Sequence, residues 1–494
     1  MNYSRFINAV SAARKPSPIR VLTAILAKSP PSMISLASGA PNPKLFPFAE
    51  ATIKLRDGSK LILDEERMNV ALQYGATQGQ ADLVNWLKDL QNILHKPPSA
   101  GMKPEAGGLD LIVTTGSQDG LSKSFESLIH AGDNVVVECP TYAGTLSALR
   151  PIGCNLLAVA TDHNGMIPDS LEEIMSRWKP EDAKHSECRI PKLVYTIPNG
   201  VNPTGASLTL DRKQAIYKIA QKYDLLIMED DPYYFLQFNK PVPSFLSLDT
   251  DGRVLRFDSF SKVLSSGGRS IQGREELLQW HYADDEYLTY EHSSDDEIVE
   301  PKEDEEEPPP PEVSEAIERL EVMVGDLLHQ WGMDGFKEHI KQVVHFYQSR
   351  KDIMVNAAKK WLSGLAEWDE PVAGMFLWLK LKGINDTKKL IEEKALAKEV
   401  LLVPGCAFMP DPDAPCSYVR ASYSLASDEQ IDQLQSTVLH IHHQLRPGFG
   451  DSFARSSSRM IKIISVKVPL MPVNTLVILA TGDLRVAIDE RIQR

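Results

Sequence analysis

Short apolar runs alternate with amphipathic segments between residues 109 and 262. The runs are rich in Val, Ile and Leu and end at Pro, Gly, Asn or Asp, which is typical of strands buried on both faces. The alternation predicts an α/β fold, with a mostly parallel sheet covered by helices. We predict strands within 109–117, 133–140, 192–199, 225–231 and 253–259, and helices over 118–129 and 211–224, the latter with Asp211 as its N-cap.

The pattern changes in the last third of the chain. It predicts a helix over 313–362, a strand over 374–381 and a final helix over 428–445. A chain of 494 residues is long enough for two domains of ordinary size. We predict an N-terminal arm, a large domain, a smaller α+β C-terminal domain and a tail, with bounds at 1–48, 49–319, 320–446 and 447–494.

The negative charge is concentrated in one segment. Residues 284–312 hold 14 of the 67 acidic residues and one lysine, whereas the formal net charge of the whole chain is −14. The rest of the chain is therefore nearly neutral. The segment also contains four consecutive prolines at 308–311, and such a run self-repels and buries little apolar surface. We expect it to be disordered.

Composition excludes several classes of function. The acidic balance argues against nucleic-acid partners, which need basic surfaces. The five cysteines show no CxxC pairing, so neither a metal site nor a disulfide framework is predicted. A Walker phosphate loop is absent, which leaves an ATP enzyme without support. The apolar stretch 468–480 is too short to span a bilayer, so we predict no membrane span.

The N-terminal 49 residues contain six Lys or Arg and no Asp or Glu. This composition resembles a mitochondrial transit peptide. An arm that packs on a partner subunit is the equal alternative, and the sequence does not separate the two.

Distinctive polar residues follow the predicted strands. Ligands of open parallel sheets bind outside the carboxyl ends of the strands, so these residues are candidates for chemistry. Ser117 and Gln118 lie at the start of a helix, whose free N–H groups suit a phosphate. The others are Tyr142, Asn202 in an Asn-Pro-Thr-Gly turn, Asp230, Tyr233, and Ser259, Ser261 and Lys262 in a Ser-x-Ser-Lys segment.

The order of these residues resembles the fold-type I pyridoxal-phosphate (PLP) aminotransferases. The resemblance is based on three features: the Asn-Pro-Thr-Gly turn, a buried strand ending in Asp230, and Ser-x-Ser-Lys about 30 residues later. The resemblance implies that Lys262 is the catalytic Schiff-base lysine and that Asp230 faces the protonated ring nitrogen. It further implies that Asn202 and Tyr233 bind the phenolic oxygen, that Tyr142 stacks on the ring, and that Ser117, Gln118, Ser259, Ser261 and Arg269 hold the phosphate.

Substrate recognition is expected to use arginine, because a guanidinium binds a carboxylate through two parallel hydrogen bonds. Arg420, in the segment YVRASYS, is the candidate for the α-carboxylate. The segments ISLASGAPNP, ALQYGATQG, EDDPYYFLQFNK and AGMFLWLK are similar to the kynurenine/α-aminoadipate branch of the family. That branch transfers amino groups from L-kynurenine and L-2-aminoadipate to 2-oxoglutarate. It implies substrate contacts at Arg20, Gly39, Tyr74 and Asn202, a homodimer, and a place in the mitochondrial matrix, with the cytoplasm as the alternative.

The chain departs from the family pattern after the lysine. The family has Gly-Leu-Arg-x-Gly there, followed by a strand and a helix, whereas this chain reads Ser-Gly-Gly-Arg-Ser at 266–270. We expect residues 270–319 to be a divergent insert that replaces that strand and helix. It is either a splice or gene-model product or an acquired interaction segment. A second function hypothesis follows from the latter, namely a catalytically impaired isoform whose acidic segment binds a basic partner. A PLP-dependent β-lyase is a third.

Overall fold

Three sheets form within the described residues: a two-stranded hairpin, a large sheet and a small sheet, of which the last two lie around the candidate residues. The computed structural model describes residues 3–15, 25, 29–30, 32, 39–100, 102, 108–264, 269–274 and 312–445, with only the backbone described for 269–274, 312–320 and 442–445. The strands are β1 (Ala51–Lys54), β2 (Lys60–Leu63), β3 (Leu109–Thr114), β4 (Asn134–Cys139), β5 (Asn155–Asp162), β6 (Gly165–Met166), β7 (Leu193–Thr196), β8 (Leu226–Asp230), β9 (Val254–Ser259), β10 (Arg269–Arg274), β11 (Ala366–Glu367), β12 (Phe376–Leu381), β13 (Val403–Pro404) and β14 (Tyr418–Ser422).

Helices cover the strands and connect them. They are Ala9–Ala13, Glu65–Ala71, Ala81–Leu94, Ser117–Leu128, Ala143–Ile152, Pro168–Met175, Leu210–Lys222, Phe245–Leu248, Glu312–Leu362 and Asp428–Leu445. The long helix is interrupted at Gly332, where φ is 60° and ψ is −177°. The predicted helices 313–362 and 428–445 are confirmed, as are the five predicted strands between residues 109 and 259.

The large sheet has the strand order β3-β10-β9-β8-β7-β4-β5-β6. The pairs β9–β8, β8–β7, β7–β4 and β4–β5 are parallel, whereas β10 and the short β6 run antiparallel to their neighbours. Every residue of β7, β8 and β9 is buried, so both faces of the sheet centre are covered. This explains why these strands read as continuous apolar runs instead of alternating ones. The predicted mostly parallel α/β sheet is confirmed.

One sequence prediction is wrong at the level of elements. The strand expected to be lost is present as β10, paired with both β3 and β9. The helix Glu312–Leu362 agrees with the predicted helix 313–362, and its first turns overlap the end of the expected insert. The backbone of β10 pairs with the N–H and C=O groups of β3 and β9, which would otherwise lack hydrogen-bond partners. These hydrogen bonds form even though the sequence of β10 departs from the family pattern. Residues 275–311, with most of the acidic run, lie outside the described residues.

The N-cap prediction for the helix Leu210–Lys222 also needs correction. Thr209, not Asp211, is the N-cap, and its hydroxyl accepts a hydrogen bond from the Arg212 N–H at 3.4 Å. Thr209 has the extended backbone that a cap requires. Asp211 lies in the first helical turn, where its negative charge interacts favourably with the helix dipole.

A small antiparallel sheet has the order β11-β12-β14-β13. The segment that leads into β12 contacts the turn that follows β7 where two glycines meet. A Cβ on Gly200 would lie 2.7 Å from the Gly374 nitrogen, and both residues have positive φ, at 55° and 81°. Only glycine permits this approach of backbone to backbone. The contact places the turn that carries Asn202 against the chain that enters β12.

Chain contacts group residues 1–442 as one unit and 443–494 as another, and the sheets belong to the first. The predicted bounds at 48, 319 and 446 stay a prediction. Among the helices that the structure describes, none has both the length and the apolar character required to cross a bilayer.

Candidate active site

A cleft lies at the carboxyl ends of the parallel strands. It encloses about 610 Å³ when its open mouth is included, which is in the range of small-molecule sites, roughly 300–1,000 Å³. Its lining residues are Ser117, Gln118, Tyr142, Ile197, Asn202, Asp230, Pro232, Tyr233, Ser259, Ser261, Lys262 and Phe376. The cleft therefore gathers the residues that follow β3, β4, β7, β8 and β9.

One end of the cleft is the start of the helix Ser117–Leu128. The residue before it, Gly116, has φ 118° and provides no side-chain cap. The first backbone N–H groups of a helix have no partner within the helix, and they carry its positive dipole end. This end of the cleft therefore suits an anion such as phosphate.

Asp230 ends β8 at the floor of the cleft and is almost fully buried. Its Oδ2 accepts a hydrogen bond from the Tyr195 hydroxyl at 2.6 Å. Its Oδ1 is buried and has no hydrogen-bond partner among the described residues. Burial raises the pKa of Asp230 to about 7, while the Tyr195 hydrogen bond and the positive charge of Lys262 act in the opposite direction. An unpartnered carboxylate oxygen in a polar cleft is suited to accept an N–H group from a ligand.

Lys262 ends a single 3₁₀ turn that follows β9. The turn is held by Ser259, whose hydroxyl accepts a hydrogen bond from the Ser261 N–H at 3.1 Å. Lys262 is half-buried, and it lies close enough to Asp230 to lower the pKa of that carboxyl group. The cleft thus holds an amine and a buried carboxylate within electrostatic reach of each other, which suits covalent attachment of an aromatic aldehyde whose ring nitrogen is protonated.

Arg420, on β14, borders the cleft from the small sheet. One of its terminal nitrogens donates to Asn202 Oδ1 at 2.9 Å, and its guanidinium lies 4.4 Å from the Phe376 ring centre and 5.0 Å from that of Phe408. Its Nε is buried without a hydrogen-bond partner, and no described carboxylate forms an ion pair with it. Burial lowers its pKa. A carboxylate ligand would satisfy both the charge and the unpaired donor.

The predicted residues fall into three groups. Ser117, Gln118, Tyr142, Asn202, Asp230, Tyr233, Ser259, Ser261 and Lys262 line one cleft, and Arg420 hydrogen-bonds to one of them. Gly39 and Tyr74 are exposed and do not line it, although the Gln73 side chain bonds the Pro41 carbonyl oxygen and so joins their two segments. Arg20 lies outside the described residues, and only the backbone of Arg269 is described, opposite Ser259 and Thr114.

Sequence reasoning missed several residues near the floor of the cleft. Ile197, Pro232 and Phe376 line it, and Tyr195 bonds Asp230. Nothing in the sequence around Ile197, Pro232 and Phe376 distinguishes them from core residues. Tyr195 and Glu138 could have been found from the sequence, because each is a polar residue within a short strand of apolar neighbours.

A cluster of buried charges lies on the other face of the sheet. Successive side chains of a strand alternate between faces, so Glu229 and Asp231 point away from the side that Asp230 occupies. Arg256 binds both at 3.1 and 3.0 Å and makes two hydrogen bonds to Asp258 at 2.7 and 3.0 Å. The side chains of Arg256, Glu229 and Asp231 have no exposed surface. This cluster fixes the strands that carry the floor of the cleft.

Similarity to known proteins decides the family. The model of the family described as aminotransferase class I and II matches residues 31–278. A Bos taurus protein named kynurenine/alpha-aminoadipate aminotransferase, mitochondrial, is 52% identical over 435 residues, which cover 87% of this chain and 97% of that relative. The chain belongs to the class I and II aminotransferases. The family match runs past Lys262 through β10 to residue 278, so the aminotransferase sequence extends further than its motif at 266–270 predicts.

Solved structures agree with the fold of this aminotransferase. The aminotransferase Aro8 of Candida albicans has a TM-score of 0.73 and 26% identity, and the match covers 90% of this chain and 98% of that one. A Pyrococcus horikoshii kynurenine aminotransferase, solved with PMP, KYN and KYA, has a TM-score of 0.63 and 25% identity, with 90% and 99% covered. The predicted fold-type I architecture is confirmed.

Proposed function

We propose that this aminotransferase uses PLP to transfer the amino group of L-kynurenine or L-2-aminoadipate to 2-oxoglutarate. The products are kynurenate, after ring closure of the 2-oxo acid, or 2-oxoadipate, together with L-glutamate. One observation carries the proposal: a single cleft holds Lys262, the unpartnered oxygen of Asp230 and, at its border, Arg420 without a described acidic partner. The names of the bovine relative and of the Pyrococcus neighbour supply the substrate class.

The described residues fit PLP. Asp230 Oδ1 is an acceptor for the ring N–H, and the start of the helix Ser117–Leu128 is an anion site for the phosphate. We assign Ser117, Gln118, Ser259, Ser261 and Arg269 to the phosphate, Asn202 and Tyr233 to the phenolic oxygen, and Tyr142 to the ring face. Bound PLP supplies an electron sink for the bonds to the substrate Cα.

The residues of the chain do the remaining work. Lys262 Nζ would hold PLP and would also accept the proton that leaves the substrate Cα. Asp230, as a carboxylate, would stabilise a protonated ring nitrogen. Arg420 binds the α-carboxylate and so orients the Cα–H bond toward Lys262.

A glycine beside Tyr142 leads to a test of the ring contact. A Cβ on Gly144 would lie 2.5 Å from the Tyr142 ring and 2.6 Å from Gln118 Oε1. We expect Gly144→Ala to displace the tyrosine and weaken PLP binding by about three- to tenfold, because an offset ring contact contributes roughly 0.5–1.5 kcal/mol. PLP titration of the cofactor-free protein measures the change.

Gly325→Ala is the matched control for Gly144→Ala. Gly325 is also helical, but an added Cβ there meets nothing closer than 3.6 Å. We expect its PLP affinity to equal that of the wild type. An unchanged affinity in Gly144→Ala would remove Tyr142 from the proposed site.

We also propose that the protein is a homodimer and that it acts in the mitochondrial matrix. Leu45, Phe48, Ile62 and Tyr74 expose 57–83% of their surface within one stretch of the described chain, and a second subunit would cover them. Gly39 and Tyr74 lie in the same stretch, so we assign them, with Arg20, to substrate contacts completed at that interface. The mitochondrial site follows the printed name of the bovine relative.

The reaction itself is tested by following glutamate. We expect the PLP-loaded protein to form glutamate in equal amount to kynurenate or 2-oxoadipate. Without 2-oxoglutarate, we expect turnover to stop after one amino transfer per site. Continued turnover without the 2-oxo acid would indicate elimination, and bound PLP with neither product would refute the proposal.

A further inference from the structure

Tyr195 is a buried residue of β7 whose hydroxyl donates to Asp230 Oδ2 at 2.6 Å. The strand register explains the contact. Tyr195 pairs with Met228 on β8, and Asp230 lies two residues further along the same face. A long side chain on one strand therefore reaches diagonally to the end of its neighbour.

The two oxygens of Asp230 have different surroundings. Oδ2 is bonded to Tyr195, whereas Oδ1 has no partner among the described residues and belongs to a residue that lines the cleft. The Tyr195 ring has no exposed surface and packs against Phe125 with the ring centres 6.3 Å apart. Its hydroxyl is therefore held in place by the sheet and the helix behind it.

From this arrangement we propose that Tyr195 is a positioning residue for the amino transfer proposed above: its hydroxyl holds Asp230 so that Oδ1 is presented to the ring nitrogen of bound PLP. The inference rests on that proposed function. Tyr195 does not line the cleft, and it acts through Asp230.

The surrounding charges determine how the pKa of Asp230 changes when the Tyr195 hydroxyl is removed. Tyr195 on β7, Lys262, Tyr233 and the acidic group Glu138 act on the charge of Asp230, and the carboxylates Asp231 and Asp258 act on it from the opposite face of the sheet. Burial and the neighbouring carboxylates raise the pKa of Asp230, and the Tyr195 hydrogen bond lowers it. Without the hydroxyl, Asp230 takes up a proton at higher pH. A neutral Asp230 no longer stabilises the positive charge of a protonated ring nitrogen.

The test compares Tyr195→Phe with Tyr217→Phe. Tyr217 is a matched control because its hydroxyl also donates to a carboxylate, Asp251 at 2.7 Å, but lies outside the cleft. Each variant is loaded with PLP labelled with ¹⁵N in the ring. The pH at which the ring nitrogen loses its proton is read from its resonance, and kcat and KM are measured separately.

In Tyr195→Phe we expect the ring nitrogen to lose its proton at lower pH. We also expect PLP affinity and kcat to fall about 10- to 100-fold, because a hydrogen bond to a charged group contributes a free energy that corresponds to such a factor. KM should change little. Tyr217→Phe should match the wild type in all of these. If the ¹⁵N titration and kcat of Tyr195→Phe equalled those of the wild type, the inference would be overturned while the proposed function would stand. A wild type that neither binds PLP nor transfers amino groups would overturn both.

A second pair of variants keeps the test decisive if Tyr195→Phe folds poorly. Tyr195→His retains a donor on a ring and is expected to recover part of the ring-nitrogen protonation. In Asp230→Asn, adding Tyr195→Phe should cost no further PLP affinity, because the two residues act as one unit. If Tyr195→Phe lowered the PLP affinity by the same factor in the wild-type protein and in Asp230→Asn, Tyr195 would be only a packing residue.

Discussion

Lys262→Ala is expected to lower amino transfer by about 10⁴-fold or more, the scale seen when a residue that forms a covalent bond is removed. Lys262 ends the turn after β9 and lies in the same cleft as Asp230. Alanine removes both the covalent attachment of PLP and the group that carries the Cα proton. Steady-state formation of glutamate measures the loss, and the visible absorbance of the PLP-loaded protein is expected to change with it.

Lys192→Ala is the control for this variant. Lys192 is also half-buried, but it pairs with Asp133 at 2.9 Å and does not line the cleft. We expect full activity from it. Thermal unfolding of both cofactor-free variants should resemble that of the wild type, because neither side chain is in the core. If Lys262→Ala kept even a tenth of the activity, another group would have to perform the chemistry.

Arg256→Met is expected to lower the free energy of unfolding by at least about 3–5 kcal/mol, the usual cost of leaving a buried charge without its partner. The substitution leaves Glu229, Asp231 and Asp258 facing one another inside the protein. Lys213, another buried cation that interacts with Glu229 and Asp231, donates to the Pro243 carbonyl oxygen and forms no ion pair with these carboxylates among the described contacts. Urea unfolding of the cofactor-free protein measures the difference.

The loss in Arg256→Met should depend on pH. Burial raises the pKa of Asp231 and Asp258, and the guanidinium opposes that effect. Without it, the pKa of these two carboxyl groups in the folded state lies further above that in the unfolded state. The folded variant then binds more protons than the unfolded one, so its stability falls as pH rises through the raised pKa values. We therefore expect the deficit to be larger at pH 8 than at pH 5.5.

Arg212→Met provides the comparison for the buried cluster. Arg212 binds Asp162 with two contacts of 2.6 Å, but both side chains are partly exposed. Exposed ion pairs contribute roughly 0–1 kcal/mol. A loss in Arg256→Met no larger than that in Arg212→Met, or a deficit independent of pH, would contradict a structural role for the buried cluster.

Much of the candidate site could be read from the chain because its signals are local. Asp230, Asn202 and Lys262 each follow an apolar run, and the carboxyl ends of parallel strands meet at one edge of the sheet. The run of residues 253–259 predicts β9, whereas β10 was not predicted because its sequence departs from the family pattern. Its place between β3 and β9 depends on hydrogen bonds to strands far away in sequence.

Contacts between distant residues account for what the chain alone did not reveal. Arg420 and Asn202 are 218 positions apart, and only the packing of the small sheet on the Asn202 turn brings them to 2.9 Å. Gly39 and Tyr74 are exposed, and the sequence motifs in which they lie do not predict that exposure.

The order of residues along the chain was enough to predict the α/β class, the strands that end at the cleft, and the chemical type of the residues there. Periodicity and strand-end chemistry are properties of a few neighbouring residues, so they survive without the fold. The folded structure was needed to show which oxygen of Asp230 has no partner, that Tyr195 bonds the other oxygen, and that Arg256 neutralises the carboxylates on the opposite face. Those facts depend on strand register and packing, which place side chains from separate strands within hydrogen-bond distance.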